Sequence, residues 1–79
     1  MVVHTVESSR LEIILILKEI GKIEGDIPPE SDIYTDLHVE SVNAISILLA
    51  LEEKFNISID DNAYIQARTL TKLIELVRS

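Results

Sequence analysis

The 79-residue chain has no cysteine, no tryptophan, two isolated glycines (Gly21 and Gly25), one proline pair (Pro28-Pro29) and only three aromatic side chains, Tyr34, Phe55 and Tyr64. Without cysteine there is no disulfide, no thiol nucleophile and no thiolate metal site, which suits a reducing cytoplasm. With so few aromatics the core must come from Leu, Ile and Val, which favours helices packed on helices. The two glycines form no glycine-rich phosphate loop. Near the N-terminus the longest apolar run, Ile13 to Leu17, is bounded by Glu12 and Lys18. That run is too short for an export segment or a membrane span, so a cytoplasmic protein without membrane insertion is expected.

Basic residues are also scarce. Seven Lys and Arg face fourteen Asp and Glu, a formal net charge of -7. A nucleic-acid role needs clustered bases and is not expected. The acids concentrate mid-chain, where Lys54 is the single base between Glu24 and Asp61. Such a field provides solubility and steers basic partners toward one region.

A chain of this size makes one small domain, here residues 1–79, burying roughly 60% of its unfolded surface. Ile13, Ile16, Leu17 and Ile20 follow the i, i+3, i+4, i+7 spacing of a buried helical stripe, predicting a first helix from about Thr5 or Ser8 to Ile20, stopped by Gly21. Leu11 and Leu15 lie off that stripe and predict cover on a second side. From Gly21 to about Glu40 the periodicity fails, leaving a long connection that Ile27, Ile33, Tyr34 and Leu37 pin to the core. Ser41 to Phe55 reads as a helix closed by Asn56. Its apolar residues spread over more than the stripe of about 100° a core needs. Ala44, Ile47, Leu48, Leu51 and Phe55 serve the core, whereas Val42, Ile45 and Leu49 form a separate ridge for a neighbouring helix or for a partner. Asp60-Asp61-Asn62 starts a short helix through about Gln66, and Thr69 caps a last helix with Leu70, Leu73, Ile74 and Val77 at helical spacing. The expected fold is all-α: a small four-helix bundle of three longer helices and one short one, with a long loop between the first and second.

Enzyme chemistry finds little support. His4 and His38 lie in different elements without metal-ligand spacing, and Asp60-Asp61-Asn62 lacks the pattern of an EF-hand loop. Ser41 has no convincing base, and taken alone it is a helix-start residue that needs no function.

Its surroundings change that reading. Asp36-Leu37-His38-Val39-Glu40-Ser41-Val42, then a helix containing Leu51-Glu52-Glu53-Lys54-Phe55, then Ile57-Ser58-Ile59-Asp60, resembles the acyl carrier protein family. The usual pattern there is Asp-Leu-Gly-x-Asp-Ser-Leu followed by a helix ending in Leu-Glu-Glu-x-Phe, and the resemblance extends from the first helix to Val77. It implies a non-catalytic carrier whose Ser41 is joined to 4′-phosphopantetheine, donated by coenzyme A and installed by a phosphopantetheinyl transferase. The arm's thiol holds acyl or aminoacyl groups as thioesters. Implied partners are that transferase, an acyl- or aminoacyl-loading enzyme, and synthases or transferases with basic docking patches. Asp36, Glu40, Glu52 and Glu53 would steer them, while Val42, Ile45 and Leu49 would supply apolar contact; a monomer is the simplest expectation for a shuttle.

Several positions depart from the pattern. His38 stands for Gly, Glu40 for Asp and Val42 for Leu. Glu caps a helix less well than Asp, so a looser helix start is expected. Asn43 and Ser46 occupy places that are often acidic in fatty-acid-synthesis carriers, which points toward a specialised lipid, secondary-metabolite or aminoacyl pathway. The alternative is an unmodified acidic helical adaptor that binds a protein through the Val42, Ile45, Leu49 ridge.

Overall fold

A computed structural model describes residues 6–78, so His4 and Thr5 lie outside the described residues. The described chain is helical in the order α1 (Val6–Glu19), a 3-10 turn (Ser41–Asn43), α2 (Ala44–Phe55), α3 (Asp61–Gln66) and α4 (Leu70–Arg78). Among the described residues no helix is long and apolar enough to cross a membrane.

The stripe on α1 faces inward as its spacing requires, with Ile13 and Leu17 fully buried and Ile16 and Ile20 half-buried. Leu11 and Leu15 are 59% and 55% exposed, which corrects the expectation of a second covered side. α1 packs against α4 and α2 through its buried stripe, and Leu11 and Leu15 lie away from it. α1 ends where Gly21 lets the backbone pass close: a Cβ there would sit 2.6 Å from the Leu17 carbonyl oxygen and 3.2 Å from Val39 Cγ2. The left-handed turn itself falls on Lys22, at φ 61. Space, not a positive φ, is what requires glycine at position 21.

The long connection is anchored at intervals. Ile23, Ile27, Ile33 and Val39 are buried, and Tyr34 and Leu37 pack against the same core. Hydrogen bonds tie it to the far end of the chain: Ile33 N–H donates to Arg68 O at 2.9 Å and Thr71 N–H to Pro29 O at 3.1 Å. These bonds satisfy backbone groups that burial would otherwise leave unpaired.

Ile47 and Leu51 of α2 join Leu70 and Leu73 of α4 and the α1 pair in the centre, all at most 1% exposed. The caps fall where side-chain chemistry predicts. The Asp60 carboxylate accepts from Ala63 N–H at 3.0 Å to start α3, and Thr69 Oγ1 accepts from Lys72 N–H at 3.1 Å to start α4.

Candidate functional site

The segment that delivers Ser41 is built around Asp32. Its carboxylate accepts from Tyr34 N–H at 2.8 Å, Thr35 N–H at 2.9 Å, and Arg68 Nε at 2.6 Å and Nη2 at 3.2 Å. Short side-chain carboxylates close turns of this kind readily, because they can bond backbone two and three residues ahead. Arg68 also lies 4.8 Å above the centre of the Tyr34 ring. The guanidinium and these backbone donors hold the Asp32 carboxyl well below the usual carboxylate range. A turn from the loop is thus clamped to the linker between α3 and α4.

From this clamp the chain runs directly to Ser41. Asp36 Oδ2 accepts from Asp32 N–H at 2.9 Å, and Val39 N–H donates to Ile33 O at 2.9 Å. His38 turns left-handed at φ 63, the conformation glycine adopts most easily, which explains physically why glycine suits this position in the resembling family. Glu40 is extended (φ -74, ψ 139) and occupies the N-cap position, but its side chain makes no cap bond. The continuous helix expected from Ser41 therefore begins as a 3-10 turn over Ser41–Asn43, and α2 starts at Ala44. This is the looser start that a glutamate cap predicts.

Ser41 is exposed at the head of this turn. Beside it Val42, Ile45 and Leu49 are 74%, 62% and 58% exposed, so the ridge is left open and not covered by α3. Next to the serine is a recess of about 370 Å³, lined by Ser41, Ala44 and Ile45 on one side and Tyr64, Ile65 and Arg68 on the other. Tyr64 O–H donates to Ala44 O at 2.6 Å and so bridges α3 to α2. Burial, with the neighbouring Tyr34, pushes the Tyr64 phenol above its ordinary range, so it stays a neutral donor at physiological pH.

The acidic residues divide. Asp36, Glu40 and Glu53 are exposed, though Asp36 also closes the turn at Asp32. Glu52 is turned inward: it is half-buried and accepts from Ile59 N–H at 2.8 Å, fixing the α2–α3 link. The spacing gave no sign of this, since Glu52 and Glu53 look alike in sequence. Arg68 had no visible signal at all, whereas Asp32 before Tyr34-Thr35 carries the mark of a side-chain-closed turn.

The comparisons with known proteins now bear on this arrangement. A family model described as "Phosphopantetheine attachment site" matches residues 12–77. The chain belongs to the phosphopantetheine attachment-site family. A solved structure of a candidate acyl carrier protein from Mycobacterium tuberculosis superposes with a TM-score of 0.81 at 18% identity, covering 89% of this chain and 95% of that one. At that identity the likeness speaks to the fold, which is the helical fold expected. The attachment-site family holds 4′-phosphopantetheine as a covalently bound prosthetic group. Acyl carrier proteins, whose fold this chain shares, are non-catalytic carriers that interact with phosphopantetheinyl transferases and acyl-handling enzymes. This carrier's site fits the group: a reachable hydroxyl stands at a helix start beside an open recess, with an apolar ridge next to it.

Proposed function

We propose that Ser41 bears the 4′-phosphopantetheine arm and that the domain of residues 1–79 presents acyl or aminoacyl thioesters to successive enzymes. The observation carrying this is the exposed hydroxyl at the head of the turn leading into α2, within the Asp36–Val42 segment that resembles the carrier motif. During attachment Ser41 Oγ forms a new bond to phosphorus, displaces the nucleotide part of coenzyme A and gives up its proton to the transferase. The resulting phosphodiester faces the unpaired N–H groups of the helix start, an effect worth about 0.3–1 kcal/mol at an exposed site. The bound group supplies the thiol that the cysteine-free chain lacks.

Docking falls to the ridge Val42, Ile45 and Leu49, with Asp36, Glu40 and Glu53 steering basic partners and Glu52 holding the helix end in place. The reduced charge along α2 favours dedicated partners in a specialised lipid, secondary-metabolite or aminoacyl pathway over general fatty-acid enzymes. Such binding is weak and salt-sensitive, as a shuttle requires.

The test is intact mass after incubation with coenzyme A and a broad-specificity phosphopantetheinyl transferase. Wild type gains one phosphopantetheinyl group and Ser41→Ala gains none. A wild-type protein that several transferases leave unmodified would instead be an adaptor using the same ridge.

A further inference from the structure

We propose that the groove between α1 and α2 receives an arginine side chain of a partner protein, so that docking reaches across α2 onto the C-terminal half of α1. This rests on the ridge Val42, Ile45 and Leu49 being the partner surface, and it is independent of what Ser41 carries.

The groove has a volume of about 270 Å³ and is lined by Ile16, Glu19 and Ile20 from the first helical segment and by Ala50, Glu53 and Lys54 from α2. That is below the range of about 300–1,000 Å³ typical of small-molecule sites and suits one inserted side chain. Ile16, Ile20 and Ala50, all half-buried, give it an apolar lining. It is also continuous with the ridge. Glu53 follows Leu49 at i+4 on α2, and Glu19 follows Leu15 at i+4 on α1, so each glutamate has an exposed leucine as its neighbour on the helix surface. The groove thus joins two apolar surfaces that the core leaves open.

Charge decides what the groove suits. Each helix contributes one exposed carboxylate, and among the described residues neither Glu19 nor Glu53 forms an ion pair. Lys54 does not neutralise them, because its ammonium is matched by Glu12 at 3.0 Å. A purely apolar side chain entering here would take two carboxylates out of water without a partner, which is unfavourable. An ammonium is a compact, strongly hydrated point charge. A guanidinium is more weakly hydrated and offers several N–H donors in a planar fork, enough for acceptors on both helices, while its methylene stem lies on Ile16, Ile20 and Ala50. Apolar lining with two unmatched carboxylates is the chemical complement of arginine.

The test is an NMR titration of the full, unmodified chain, labelled at its isoleucine methyl groups, at low salt. The probe is propylguanidinium, the arginine side chain without its backbone; butylammonium stands for lysine and propylurea is the uncharged isostere. Propylguanidinium should shift the Ile16 and Ile20 methyl signals together and to saturation. Butylammonium and propylurea should bind at least about threefold more weakly, and Glu19→Gln and Glu53→Gln should each weaken propylguanidinium by about threefold, the size of effect one exposed ion pair confers. Ala50→Leu fills the groove and should abolish saturation, whereas Glu24→Gln, an exposed acid that does not line it, should change nothing. Shifts that never saturate at Ile16 and Ile20, or equal binding of propylurea or butylammonium, overturn the inference. Those failures leave the Ser41 assignment standing, since intact mass reads it separately; saturation at the groove in a chain that gains no mass at Ser41 supports this inference and overturns the carrier reading alone.

Discussion

The two ends of the second helical segment are built to opposite standards. At the C-terminal end Asn56 takes a left-handed conformation (φ 54, ψ 50) with its N–H bonded to Glu52 O, Ile57 N–H donates to the same carbonyl at 3.1 Å, and the Glu52 carboxylate reaches Ile59 N–H. At the N-terminal end a 3-10 turn replaces the α-helix, the N-cap side chain makes no bond, and the first apolar residue, Val42, is 74% exposed. Helix termini leave orphan polar groups at both ends, and here backbone N–H groups close the C-terminal end while no side chain caps the N-terminal one. The locked end fixes the helix in the bundle. At the open end Asn43 and Ala44 N–H are used by the turn itself, but the Ser41 hydroxyl is exposed and no side chain occupies the cap.

The contrast is broken most severely by emptying the locked half. Leu51 is fully buried one turn before the C-cap, so Leu51→Ala should cost about 2–5 kcal/mol, a large share of the stability of so small a domain. Val42→Ala removes a larger fraction of exposed surface at the open end and should change stability by no more than about 0.5 kcal/mol. Urea denaturation of the two variants checks the pair, and comparable losses would mean that the open end is also structural.

A second, smaller effect separates the adjacent glutamates. Glu52→Ala leaves Ile59 N–H, at a buried position, without its acceptor and should cost about 1–3 kcal/mol; Glu52→Gln keeps an acceptor and should cost less. Glu53→Gln should leave stability unchanged but slow association with a basic partner at low salt, because an exposed rim charge acts chiefly on encounter. Urea midpoints and stopped-flow association rates distinguish the roles. If Glu52→Gln slows association as much as Glu53→Gln does, the division drawn between them fails.

How much of this was legible in the sequence depends on the kind of force involved. The helices, their order and the caps at Asp60 and Thr69 follow from periodicity and short polar side chains, which act locally and therefore leave local traces. The motif marks Ser41 as the proposed attachment point, and an excess of apolar residues marks the Val42, Ile45, Leu49 ridge, though not whether a neighbouring helix covers it; it is exposed. What stayed hidden is long-range. Arg68 meets Asp32 across 36 positions, and Tyr64 meets Ala44 across 20, so nothing near either residue announces its partner. Glu52 and Glu53 differ only by about 100° of helical rotation, which matters because a backbone N–H happens to lie on one side.

The mildest prediction acts on the open end itself. Glu40 sits at the N-cap with extended backbone angles, so the geometry for a cap exists and only the side chain is wrong. Aspartate is one methylene shorter and closes the ring to the second or third helical N–H. Glu40→Asp should therefore stabilise the unmodified protein by about 0.5–1 kcal/mol, raising the melting temperature by about 2–8 °C for a domain of this length. A phosphodiester on Ser41 would compete for the same N–H groups and place a second negative charge beside the new carboxylate. The gain should then shrink in the modified protein, measured by thermal unfolding of matched modified and unmodified samples. An equal gain in both would show that the attached group does not use the helix start, and that the open end is kept for partners alone.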